Sequence, residues 1–399
     1  MAKMKIVTFV LSILVISCLA SCTTSSSNTT PPSQYVDGIV YTTFTSTFPN
    51  DSALYSDYCF SKLNCLAAGA IGVDSQSSPT PLIETTSSGG VFWNREIAPT
   101  KFGELSSLDC ISTFCIMVGS TALTGTSNAL IYYSLNSGNS FTSISVAGLS
   151  SNSTLSSVSC FMNKSSTVAS PTCIAVGSTG PVTNTSPLVV SSANTLADWT
   201  VVNANESTPG YLNTVSCNNT GNCIASGDLT PTTSSSQPFS LISNRSGLTW
   251  NSTGAQNNQL SLDSITCLTS TSCIGVGSTA SSTDQLGNVI GSPAVFRTSN
   301  IGTTWTSLNT VAGPVGALVS ISCPIGIDFS CIAAGSNGVS GEERALIAVE
   351  SGNTWKDALL SNPNTEVDSL SCPNNYSDWC LGVGFSGIHT KTPFVVAFF

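Results

Sequence analysis

Charge is what this 399-residue chain has least of. Only 8% of its residues are Asp, Glu, Lys or Arg, against about 25% in an ordinary soluble domain. Its seven Lys and four Arg are scattered along the whole length, and the net charge is −10. There is no basic stripe for a phosphate backbone to follow, so nucleic acid is excluded as a partner. A single His, His389, rules out His-based metal motifs. Neither a Gly-rich phosphate loop nor a Gly-x-Ser-x-Gly elbow is present. Helical periodicity is missing after the first twenty residues. Hydrophobic residues make up 41% of the chain, enough for a sizeable core, and Ser, Thr, Asn and Gly supply the polar surface that charge does not.

What is present begins with an export segment. Lys3 and Lys5 precede an apolar run from Ile6 to Ala20, too short to span a bilayer comfortably. It ends in Leu19-Ala20-Ser21-Cys22, which resembles the lipobox of bacterial lipoproteins. That resemblance implies lipidation of Cys22, residues 1–21 as the signal, and a membrane tether without a spanning helix. Val15-Ile16-Ser17-Cys18 is a weaker second match. An ordinary signal peptide cut near Ala20 is the competing reading. Thr23 follows the cysteine, and its not being Asp implies, by the same resemblance, the outer membrane or cell surface. The Ser/Thr/Pro run after Cys22 reads as a flexible tether over 22–36, leaving 37–399 as the folded domain.

Cysteines, sixteen in the chain, organise that domain. Without Cys18 and Cys22 they fall into seven local pairs: Cys59 with Cys65, Cys110 with Cys115, Cys160 with Cys173, Cys217 with Cys223, Cys267 with Cys273, Cys323 with Cys331, and Cys372 with Cys380. The pairs recur every 49 to 57 residues, the range of propeller blades. Every second cysteine opens the pattern Cys-(Ile/Leu)-x-x-Gly, and most first cysteines close an alternating strand such as LSSVSC or LNTVSC. Each pair therefore straddles a β-hairpin, close enough to bridge. The gaps are wide for zinc, and an exported chain meets an oxidising compartment, so disulfides are expected and metal is not.

A third strand follows, as in NALIYYS or RALIAVE, and then a turn. The clearest copies are Thr298, Asn300, Gly302, Thr304, Trp305 and Ser243, Gly247, Thr249, Trp250. Looser ones are Ser134, Asn136, Gly138, Ser140, Phe141 and Gly352, Thr354, Trp355, while Trp93 and Trp199 hold the aromatic place in two others. Asn136, Asn300, Glu350 and Arg245 are read as standing in the acidic place. These turns resemble the Asp-box (BNR) repeat of β-propellers, including sialidases and photosystem II assembly-factor-like repeats. The resemblance spans about 38–399 and implies an all-β, seven-bladed propeller of four-stranded blades. Since PFVVAFF ends the chain after a third strand, the lone strand at Gly38 to Thr45 is expected to complete the last blade and close the ring.

The fold implies no single activity. Sialidase-like hydrolysis needs three convergent arginines, and only Arg95, Arg245, Arg297 and Arg344 are available. The expected function is therefore non-enzymatic: a monomeric envelope lipoprotein, without cofactor, that binds a protein or glycan. A degenerate sialidase-like hydrolase and an assembly factor for a membrane complex are the alternatives. In an up-down blade the cysteine hairpins and Asp-box turns share one face, so loop variation falls on the other. Its longest loops, 228–237, 278–292, 336–343 and 385–392, carry Asp228, Asp284, Glu342, Glu343, His389 and Lys391 as candidate binding residues.

Overall fold

The computed structural model describes residues 34–36, 39–44 and, apart from short loop stretches such as 122–126, 164–169, 231–236, 284–288, 325–330, 339–342 and 374–378, residues 47–399. Every regular element among them is a strand, and the strands form seven antiparallel sheets. The first blade runs Ser52–Cys59, Cys65–Ile71, Thr80–Thr86 and Asn94–Arg95, innermost strand first. Five more four-stranded blades repeat this order. The seventh takes Thr365–Ser371, Cys380–Ser386 and Thr392–Phe398 from the end of the chain and Ile39–Phe44 from its start, with Tyr41 opposite Phe398. The ring closes as the sequence implied. A further strand, Gln34–Val36, pairs with Ile39–Phe44 as a fifth member. Three residues of the segment read as tether, Gln34 to Val36, thus belong to the sheet.

All seven disulfides lie within blades, bridging the two innermost strands across Cα separations of 4.0–4.3 Å. Seven apolar clusters fill the seven interfaces between neighbouring blades, one each. Sheets buried on both faces need side chains that are apolar on both faces, which is why second strands read CIAVG or CIMVG.

The Cys-(Ile/Leu)-x-x-Gly pattern has two tertiary causes. Its Ile or Leu lies under the turn of the next blade. Leu66 packs against Gly138, Ile174 against Gly247 and Ile224 against Gly302, where a Cβ would displace it. Its Gly faces a bulge in the innermost strand. At all seven copies a Cβ would collide with the carbonyl oxygen of the residue six before the first cysteine, from Ala53 opposite Gly69 to Glu366 opposite Gly384. Only glycine permits that approach.

The turns that resemble Asp-boxes are held by their own side chains. Ser134 Oγ accepts the Gly138 N–H at 2.9 Å, and Asn136 Oδ1 accepts the Ser140 N–H at 3.1 Å. Thr298 and Asn300 repeat both bonds, and Gly302 takes a φ of 83°. Trp93 and Trp250 donate their indole N–H groups to Gly90 and Gly247 at 2.9 Å. Glu350 differs from its reading as the acidic residue. It stands opposite Cys331, in the place Ser134 and Thr298 hold opposite Cys115 and Cys273. The turn that follows is short, with Ser351 directly opposite Thr354. Arg245 lies outside the described residues.

Candidate functional site

The innermost strands stand side by side round a central channel, and the seventh contacts the first. Each carries one β-bulge, always at the fourth residue before its first cysteine: Tyr55, Ser106, Ser156, Asn213, Asp263, Val319 and Asp368. A bulge leaves one residue unpaired and re-aims its side chain. All seven bulged residues line the channel, which holds a cavity of about 770 Å³.

The wall between the bulges and the cysteines is built from hydroxyls. The innermost strand has a free edge, and its N–H groups need acceptors. The preceding blade supplies them. Ser56 Oγ accepts the Leu108 N–H at 2.9 Å, Ser157 that of Val215 at 3.2 Å and Ser320 that of Leu370 at 3.0 Å. One tier on, Ser159 accepts from Cys217, Ser322 from Cys372 and Ser371 from Cys59, the last at 2.7 Å across the closing seam. The alternating serines of LSSVSC were the signal for this interlock, and sequence reasoning took them only as strand periodicity.

Two acids break the pattern. Asp109 replaces a serine and accepts the Cys160 N–H at 2.6 Å and the Cys110 N–H at 2.8 Å. Burial nevertheless pushes its carboxyl up to about 7 against those two bonds. Asp57 occupies the place that Leu108, Val158, Val215, Ile265, Ile321 and Leu370 hold in the other blades. It is 6% exposed, and neither carboxylate oxygen has a hydrogen-bond partner. Its carboxyl is also pushed up to about 7, by burial, with the neighbouring Ser369 hydroxyl pulling the other way.

The remaining acids gather at the mouth opposite the cysteine hairpins. Asp263 is raised to about 7 by burial first, then by Asp228 and Glu366. Burial and Glu366 raise Asp368, while Lys391 draws it down. Glu366 is raised by burial and Glu343 and lowered by Lys391. Glu104, at the edge of the second blade, is raised by burial. Burial raises the Tyr55 hydroxyl, and the field of Glu104, Asp368, Asp74 and Asp51 adds to it. Lys391 is tied to the rim by its backbone, whose N–H donates to Asp74 Oδ2 at 2.7 Å, and its ammonium sits 4.3 Å over the Phe385 ring. Five acids, Asp57, Asp109, Asp263, Glu350 and Asp368, therefore line the channel, and Asp51, Asp74, Glu104, Asp228, Glu343 and Glu366 stand about one mouth of it.

This mouth belongs to the face expected from the loop pattern. Asp228, Glu343 and Lys391 from that reading are brought together round it. Asp284, Glu342 and His389 lie outside the described residues. The segment 278–292 is largely strand, with Thr283 pairing Val289, and is not an open loop. The acids that sequence reasoning missed, Asp263, Glu366 and Asp368, sit within innermost strands, and rare charges four and six residues before a blade cysteine were the available sign. Of the arginines weighed for sialidase chemistry, Arg95 pairs with Glu84 at 2.9 Å and Arg297 with Glu350 at 3.0 Å, and neither lines the channel. Among the described residues no group of three or more His, Cys, Asp or Glu is arranged to hold a metal ion.

No protein-family model matches the chain, and no curated protein does. Solved structures share its fold. YCF48 from Cyanidioschyzon merolae superposes with a TM-score of 0.56 at 14% identity, over 90% of this chain and 98% of that one. The α-L-arabinofuranosidase Arb93A from Fusarium graminearum, in complex with an iminosugar inhibitor, gives 0.50 at 13% identity, over 88% and 97%. The α-L-arabinanase of Penicillium chrysogenum, complexed with arabinobiose, gives 0.48 at 11% identity, over 92% and 98%. At these identities the likeness is one of fold.

Proposed function

We propose that this chain is an exported binding propeller, tethered by lipid on Cys22 at the outer membrane or cell surface, that holds a protein or glycan partner at the acidic mouth of its channel. The observation that carries this reading is the concentration of acidic residues there, in a chain that otherwise avoids charge. A closed ring of disulfide-pinned blades is a rigid frame, and variable loops on such a frame are suited to recognition. The chain works as a monomer without cofactor, and the same face would serve a scaffold role in assembling a membrane complex.

Two experiments test it. Replacing Cys22→Ser should move the protein from the membrane fraction to the soluble exported fraction. A photo-crosslinker placed at Asp74 or Thr390, on the acidic face, should capture a discrete partner in living cells, whereas one at Leu63 or Leu135, on the hairpin face, should not. Equal capture from both faces would remove the reading.

A hydrolase remains the second reading because of one feature. Asp263, Glu366 and Asp368 are raised carboxyls beside a cavity, and a carboxyl held protonated near neutrality can act as a general acid. A panel of fluorogenic glycosides, arabinosides and sialosides included, decides it. Turnover that is lost in Asp368→Asn would establish an enzyme, and none is expected.

A further inference from the structure

The chemistry of the ligand follows from what the channel lacks. Carboxylates gathered in a partly desolvated cavity repel one another and call for a cation. Among the described residues Lys391 is the cation whose charge acts on Glu366 and Asp368, and its backbone anchors it at the rim. Deeper in, Asp57 is more than nine-tenths buried with both oxygens unpartnered, and one oxygen of Asp368 is buried without a partner. Both residues line the same cavity. An acid in a place where six other blades put Leu, Val or Ile is a local rule broken, and such breaks concentrate where function requires them.

Resting on the reading of this mouth as the binding face, we infer that the group taken into the channel is an ammonium or guanidinium at the end of a flexible chain, held among Asp57, Asp263 and Asp368. The cavity, about 770 Å³, is far larger than a metal ion needs. An anion would be repelled by Asp57, Asp109, Asp263 and Asp368 on the wall, which carries no Lys or Arg. Tyr55 and Tyr58 add aromatic rings to the wall, and such rings attract organic cations. Two sources carry this chemistry: a Lys or Arg side chain of a protein, and a free polyamine.

The test titrates the full mature protein, in detergent at low salt, with hexalysine, spermidine and a neutral hexaserine peptide. Hexalysine should bind saturably, one per chain, and weaken as salt screens the interaction. The double variant Asp263→Asn with Asp368→Asn should weaken it by about tenfold or more. Asp368→Glu should retain binding, and Lys391→Met should tighten it. Glu96→Gln with Asp198→Asn removes the same charge beside the outermost strands Asn94–Arg95 and Trp199–Val202 and should change nothing. Spermidine binding as well as hexalysine assigns a free polyamine, and much weaker spermidine assigns a protein side chain. The inference is overturned by absent or hexaserine-like binding, or by the outer double variant weakening hexalysine as much as the channel one. Cross-links from Asp74 and Thr390 that persist in that case would leave the binding face standing and remove only the cation.

Discussion

Replacing Gly277→Ala tests the account of the repeated glycine most directly. A Cβ there would lie 2.9 Å from the Ser261 carbonyl carbon and 3.2 Å from the Asp263 nitrogen, and closer still to the Ser261 oxygen. Ordinary contacts need about 3.5 Å or more, and every obstructing atom is backbone in a paired strand, so the bulge itself must retreat. Overpacking of this kind costs about 1–3 kcal/mol and a weakened ladder hydrogen bond about 1 more, which places the loss at roughly 2–4 kcal/mol. Gly275, two residues earlier in the same strand, is the internal control. Its Cβ would meet Leu262 Cδ2 at 2.8 Å and the Trp305 ring at 3.1 Å, side-chain atoms that can give way, for a cost of about 1 kcal/mol. For roughly 360 cooperatively unfolding residues the unfolding entropy is about 0.8 kcal/mol per kelvin. Gly277→Ala should therefore lower Tm by roughly 3–5 °C and Gly275→Ala by about 1 °C, read by circular dichroism with the disulfides intact. Equal losses in the two variants would refute the close approach as the cause of the pattern.

The other expectations concern the wall and the bridges. Ser371→Ala removes the acceptor of the Cys59 N–H at the closing seam; hydrogen exchange at Cys59 should accelerate and stability should fall by about 1 kcal/mol, and unchanged protection would mean the interlock does not hold the seam. Replacing both cysteines of a bridge by serine should cost more in blade three, where the separation is 13, than in blade four, where it is 6: about 3 against about 2 kcal/mol by loop-closure entropy, measured by denaturant unfolding. Asp57, Asp109 and Asp263 hold their protons up to about 7, while an unfolded Asp loses its proton near 4. The native state then binds more protons between those values, so stability is greatest at the acid end and declines as pH rises toward 7. Asp57→Leu should raise Tm at pH 8 and flatten part of that slope; an unaltered slope would show that Asp57 ionises elsewhere.

The blade count, the pairing of all fourteen cysteines and the closing strand near Tyr41 were legible in the chain, because each depends on contacts repeated at a fixed interval. The mouth that gathers Asp228, Glu343 and Lys391 was legible only as a face. The unusual charges at Glu366 and Asp368 were visible in the chain, but their meeting with Asp263 was not, since residues about a hundred positions apart come together there only once the ring is closed.

Repetition is a local property, so the sequence by itself determined the strands, the bridges and the propeller. Tertiary structure alone decided that Asp57 would be buried without a partner, that serines of one blade would serve the N–H groups of the next, and that acids from five blades would line one channel. Those outcomes depend on which strand edge turns inward when seven sheets meet, and that orientation is set by closure of the ring and not by any one repeat.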